Sequence, residues 1–143
     1  ENLLNKFSKE NVNLENITIL GTLQSQKDHL ECYNKFHLSL DTFPYPGVTT
    51  SFESLIMAKP VLTMKGNNFN SRCGESINLN INLDEFIAEN EDDYINKAVN
   101  FSKNPNTLEN LNKDLRKKVL SSPLFDIETF SEDLQSIFLD IIR

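Results

Sequence analysis

The stretch Leu40 to Leu55 reads LDTFPYPGVTTSFESL and gathers the residues of this chain best suited to hold an anion. Pro44 and Pro46 stiffen a loop, and Gly47 permits a left-handed backbone or the close approach of a ligand. Thr49 and Thr50 then place two hydroxyls beside the first free amides of a helix. Those amides and the positive end of the helix dipole favour a phosphate, by ~0.3–1 kcal/mol for the dipole alone and by more with direct hydrogen bonds. A structural reading uses the same residues. Thr50-Ser51-Phe52-Glu53 has the spacing of a capping box, in which Thr50 caps the helix and Glu53 reaches back to the cap amide. There is no P-loop sequence and no GxGxxG to decide between them.

The other chemistry-bearing residues are scattered. His29 stands at helical spacing from Cys32 and Tyr33, which by itself marks an exposed helix position, and His37 opens an apolar run with no partner for a metal. Asp41, beside the loop, caps the amides of Phe43 or Tyr45 or else orients the loop. Arg72 is placed to approach a phosphate from a following loop or simply to face solvent. Cys32 and Cys73 are far apart and lack CxxC or Cys/His spacing, so free thiols, no metal site and a cytoplasmic location are expected. The formal charge of -7, from 14 basic and 21 acidic residues, argues against a nucleic-acid binder. No apolar run approaches the roughly 18 residues of a membrane span, so no membrane partner is expected.

The elements that must position the loop are legible as two halves. In residues 1–64 short apolar runs alternate with helical patterns: Leu3 to Lys9 (helix), Ile17 to Leu20 (strand), Gln26 to Lys35 (helix), Phe36 to Leu40 (strand), Thr49 to Ala58 (helix) and Val61 to Met64 (strand). Alternation of this kind predicts parallel strands, a βαβ portion within an α/β, Rossmann-like doubly wound sheet. Its ligands would bind at the carboxyl ends of the strands, where the proline-rich loop begins. Ala58-Lys59-Pro60 ends the third helix. Residues 65–143 read as mainly helical: Leu83 to Ile87, Asp92 to Lys103, Thr107 to Leu120 and Ile127 to Ile142. Lys65 to Asn82 is an Asn-rich loop with a short helix near Cys73, and Phe125, Phe130 and Phe138 are assigned to the core. The chain opens at Glu1, without an initiator methionine and inside a helical pattern, so a piece of a longer protein is expected.

The run HLSLDTFPYPGVTTSFESLIMAKPVLTM, His37 to Met64, resembles the glycosyltransferase family of the protein O-linked N-acetylglucosamine transferases and the Spindly-type O-fucosyltransferases. Within that family its LDTFPY-x-G-x-TT-x-x-ESL pattern is most similar to the Spindly branch. The similarity continues through DEFIAENEDDYINKAV and LRKKVLSSPLFD. The resemblance implies that residues 1–143 form the C-terminal, donor-binding half of a two-domain GT-B enzyme. Gly47, Val48, Thr49 and Thr50 would hold the diphosphate of UDP-N-acetylglucosamine or GDP-fucose. Glu53 would take the ribose hydroxyls, the Leu23 and Gln24 backbone would read the base edge, and His29 would sit near base and diphosphate. It further implies a protein Ser/Thr acceptor, an N-terminal half with helical repeats, and a final helix that packs onto that half. No metal or other cofactor is implied, and no catalytic residue lies in this chain, because the family's catalytic lysine falls upstream of Glu1.

Two positions depart from the pattern. The acetylglucosamine branch usually carries His where Val48 stands and Lys where Gln26 stands, and both touch the donor there. Lys27 is a nearby partial substitute. The alternatives are a non-catalytic interaction module, in which the capping box is purely structural, or another GT-B enzyme such as a sugar epimerase.

Overall fold

A computed structural model describes residues 3–142, so the helical pattern read at Glu1 lies outside the described residues. Helix α1 spans Leu3–Lys9 and α2 spans Gln26–Cys32, the latter continued by a 3-10 turn at Tyr33–Lys35. Strand β1 (Ser39–Leu40), helix α3 (Thr49–Ile56) and strand β2 (Val61–Met64) follow, then α4 (Cys73–Asn80) and β3 (Ile87–Ala88). Three helices complete the chain: α5 (Glu91–Lys103), α6 (Pro105–Leu120) and α7 (Ile127–Ile142).

The sheet is wholly parallel, in the order β1-β2-β3. Ser39 pairs with Val61 and Leu40 with Leu62, while Thr63 pairs with Ile87 and Met64 with Ala88. Central β2 is covered on both faces, as the complete burial of Leu62 requires. Val61 joins the cluster of Leu55, Ile77, Leu115 and Val119 from α3, α4 and α6. Met64, on the opposite face, lines a cavity with Tyr94 of α5. Phe86 is the largest fully buried side chain, stacked on Phe101 with ring centroids 4.4 Å apart. Within the Asn-rich segment Asn78 is structural: its buried Nδ2 donates to the carbonyls of Val61 and Phe86, joining α4 to the sheet. Helix α3 ends in a Schellman motif, with Ala58 at φ 59° and its amide on Leu55 O, and the Lys59 amide on Ser54 O.

Four expectations change. Ile17 to Leu20 forms no strand: Ile19 and Leu20 are 54% and 46% exposed, and β-propensity makes no ladder without a paired edge and a buried face. Leu83 to Ile87 is no α-helix but a 3-10 turn leading into β3, because the buried Ile87 and Ala88 find an open edge on β2. Helix α4 covers eight residues of a segment read mostly as loop. Phe130 and Phe138 are not core, being 66% and 56% exposed. They lie with Ile127, Leu134 and Ile141 on an apolar stripe of α7 that no described residue buries, whereas Phe125 is half-buried edge-on to Phe52.

Two phenols tie elements together. The Tyr33 hydroxyl donates to Glu53 Oε2 (3.2 Å) and lies 3.4 Å from Thr50 O, and the Tyr94 hydroxyl donates to Asp41 O (2.7 Å). Burial pushes both up to about 12, with further upward contributions from Glu53 for Tyr33 and from Asp41 for Tyr94.

Truncating the stacked Phe86 to Ala should cost this chain about 3–5 kcal/mol in urea denaturation. Phe130→Ala should change it by less than about 0.5 kcal/mol, since that mostly exposed ring has little burial to lose. Because the folded state keeps both phenolic protons while the unfolded chain releases them near pH 10, stability should fall as pH rises from about 10 towards 12. Denaturation midpoints at about pH 9 and pH 11 should show the fall, and Tyr94→Phe should reduce its slope.

Candidate nucleotide-diphosphate site

The loop from Asp41 to Val48 leaves the carboxyl end of β1 and turns into α3, so the amino end of that helix sits at the sheet edge where parallel α/β folds take ligands. The amides of Thr49, Thr50 and Ser51 have no acceptor among the described residues. The first helical bond is that of Phe52 N to Val48 O, 3.0 Å. The hydroxyls of Thr49 and Thr50 are likewise without a hydrogen-bond partner among the described residues, and both residues are exposed. The arrangement leaves three amides and two hydroxyls unpaired among the described residues at one helix terminus, those of Thr49 and Thr50 on exposed residues and the Ser51 amide on a buried one, a donor set that suits a phosphate group.

The expected capping box is not formed. Val48 is the cap residue, with no side-chain bond, so the helix begins two residues before a Thr50 cap would start it and Thr50 lies inside the first turn. Ser51 Oγ instead donates back to Gly47 O (3.0 Å). Gly47 is required for space rather than for a left-handed backbone: no glycine has positive φ, and a Cβ here would stand 2.5 Å from Thr50 Oγ1 and 2.9 Å from Ser51 Oγ.

Asp41 braces this loop. One carboxylate oxygen accepts from the Gly47 amide (2.7 Å) and the Thr42 amide (3.0 Å), and the other from the Thr63 hydroxyl of β2 (2.9 Å). It therefore orients the loop and does not cap Phe43 or Tyr45. Burial pushes its carboxyl above the ordinary aspartate range, opposed by the bonds from Gly47, Thr63 and Thr42. Gly74 of α4 makes room for the pair, since a Cβ there would stand 2.8 Å from Asp41 Oδ2 and against Thr63 Oγ1.

Glu53, one turn into α3, is held from α2. Its Oε2 is bonded by His29 Nε2 (2.9 Å) and by Tyr33 OH, whereas Oε1 has no partner among the described residues. His29 meets the Tyr33 ring edge-on at 5.6 Å. The structure thus brings together Gly47, Val48, Thr49, Thr50, Glu53 and His29. Leu23 and Gln24 lie in the irregular segment just before α2; Leu23 is half-buried, Gln24 is exposed, and no hydrogen bond joins either to α3. Lys27 is exposed and 3.7 Å from Glu31. Arg72 is committed to the buried Glu75 through two bonds, 2.7 and 3.1 Å, and His37 Nε2 stands 3.8 Å from Glu109. Among the described residues no three His, Cys, Asp or Glu side chains cluster as a metal site would require.

Sequence reasoning passed over Tyr33, Thr63, Gly74 and Tyr94. Tyr33 had a readable signal, its i,i+4 spacing from His29, which puts both on one helix face. Thr63, Gly74 and Tyr94 come from three separate elements and only the fold joins them.

The chain is 35% identical over 129 residues to a tomato (Solanum lycopersicum) protein named a probable UDP-N-acetylglucosamine--peptide N-acetylglucosaminyltransferase SPINDLY, covering 90% of this chain and 14% of that protein. It is 38% identical over 119 residues to the protein of the same name from Eustoma exaltatum, covering 83% of this chain and 13% of that one. In three dimensions it superposes on a mutant O-GlcNAc transferase of Thermobaculum terrenum with a TM-score of 0.85 and 29% identity, over 95% of this chain and 26% of the other. The chain therefore spans about one-seventh of the length of the curated relatives it matches, and with residues 1–134 matching the family profile it belongs to glycosyl transferase family 41.

Proposed function

We propose that this chain holds the nucleotide diphosphate of a sugar donor within a GT-B glycosyltransferase that modifies Ser or Thr hydroxyls of proteins. The observation that carries the reading is the amino end of α3, whose unpartnered amides and hydroxyls stand at the carboxyl edge of the sheet in a chain of this family. Gly47, Val48, Thr49 and Thr50 surround the diphosphate, Glu53 Oε1 accepts from the ribose, His29 lies beside base and diphosphate, and the Leu23–Gln24 backbone meets the base edge. The donor is UDP-N-acetylglucosamine or GDP-fucose. Val48 and Gln26, in place of the His and Lys usual in the acetylglucosamine branch, favour the Spindly-like choice.

In transfer, the bond from the anomeric carbon to the diphosphate breaks as the acceptor hydroxyl attacks, and negative charge gathers on the leaving diphosphate. Donors already in place at α3 stabilise that charge without reorganising, so they act on the transition state more than on the ground state. Amides and hydroxyls meet the charge, and no metal is needed for this role. Catalysis and acceptor binding are assigned to the N-terminal half of the enzyme, with its helical repeats. The free Cys32 and Cys73 suit a reducing compartment such as the cytoplasm, and no helix among the described residues is long and apolar enough to cross a membrane.

The double variant Thr49→Ala, Thr50→Ala of the full-length protein should lose roughly 100-fold or more in kcat/KM for sugar transfer, the effect of a lost preorganised donor; unchanged turnover would refute the reading. Asp41→Ala strands the Gly47 amide and Thr63 hydroxyl, and should cost about 1–3 kcal/mol of stability and weaken UDP or GDP binding in calorimetric titration. Asp41→Asn keeps an acceptor for Gly47 and should retain more of both.

A further inference from the structure

We infer that Tyr33 is a positioning residue for ribose recognition: by holding one oxygen of Glu53, it leaves the other aimed at the donor's ribose hydroxyls. The inference rests on the proposed role of Glu53 and adds to it a second residue, from a different helix, with a separable effect.

The geometry has three parts. First, a glutamate side chain at an exposed helix position has three rotatable bonds, and fixing it in one rotamer costs conformational entropy on every binding event unless the protein has already fixed it. Here Oε2 is fixed by Tyr33 OH and His29 Nε2, two donors on one face of α2 and its continuing turn. Second, Tyr33 is itself packed in place: it is 8% exposed, edge-on to His29 and 5.6 Å from the Phe36 ring. Third, the hydroxyl also lies 3.4 Å from Thr50 O, so one side chain spans the first turn of α3 and the carboxylate below it. Oε1 is left without a protein partner among the described residues, although the side chain is only 27% exposed. A carboxylate oxygen so placed is an acceptor for a diol. Because burial and Glu53 hold the Tyr33 proton on up to about 12, the hydroxyl stays a donor at every working pH.

This arrangement predicts selectivity rather than gross affinity. A hydrogen bond to a charged acceptor, when lost, weakens binding roughly tenfold or more. The full-length protein should therefore bind UDP or GDP, whichever is its nucleotide, roughly tenfold or more tightly than the corresponding 2′-deoxynucleotide. Tyr33→Phe, which keeps the ring and its packing, should bring that ratio to within about threefold. It should leave affinity for the 2′-deoxynucleotide and for inorganic pyrophosphate unchanged. Glu53→Gln should abolish the ratio as well. If Tyr33→Phe weakens all three ligands alike, its role is structural and the inference fails; if the ratio survives in Tyr33→Phe while Glu53→Gln removes it, the inference fails and the donor reading stands. Failure of the unmodified protein to bind either nucleotide, or to prefer the ribose form, would overturn both.

Discussion

The carboxylate of Asp41 is the joint on which the loop before α3 depends. It sits where β1 ends, and with two oxygens it takes hydrogen bonds from the next residue, from Gly47 six residues on, and from Thr63 of the neighbouring strand. Taking this half-buried carboxylate partly out of water is costly, and the same burial pushes its carboxyl above the ordinary aspartate range. Three donors offset it, and what the protein gains is definition. A loop that would otherwise sample many conformations is closed on itself and fastened to the sheet, so the amides at the start of α3 are held in place before any ligand arrives.

Everything near this joint is shaped to let it form. Gly74 removes a side chain from the space that the Asp41 and Thr63 pair needs, and Gly47 does the same for the hydroxyls that fold over it. Tyr94 reaches from α5 to the carbonyl of Asp41, so helices on both faces of the sheet meet at one residue. The core beneath, centred on Leu55, Leu115, Val119 and Phe86, fixes α3 against the sheet and so sets the direction of its amino end.

Helix α3 carries two kinds of polar group on successive turns. Its first amides are free because a helix cannot satisfy them internally, which suits an anion. Its next turn carries Glu53, whose charge would be unwelcome beside that anion if it were free to swing. Bonds from α2 restrain it. The segment before α2, with Leu23 and Gln24, has no such restraint in the described chain, and α7 likewise shows an apolar stripe with nothing packed on it. The well-braced part of the candidate site is the one made by the Asp41 to Val48 loop, the amino end of α3 and Glu53.

Local pattern was enough to place β1, α3, β2, α5, α6 and α7, because a proline or glycine punctuates each and the helical period of apolar residues is unambiguous. It also singled out the loop before α3, whose prolines, glycine and threonines act over a few residues. What it could not decide were matters of partnership. Ile17 to Leu20 has the composition of a strand but no edge to pair with, whereas Ile87 and Ala88 become one because β2 offers an edge. The Thr50 and Glu53 spacing permits a capping box. The fold sends Glu53 to His29 and Tyr33 instead, because residues 24 and 20 positions earlier are brought within 3.2 Å. Phe130 and Phe138 have the spacing of core residues, yet burial requires an opposing surface. The sequence alone determined the helices with a long apolar period and the loop whose composition best suits an anion; only the tertiary structure decided that Cys73–Asn80 is a helix and Leu83 to Ile87 is not, and which polar groups are spent on one another, because hydrogen bonding and burial depend on residues that are near in space and distant along the chain.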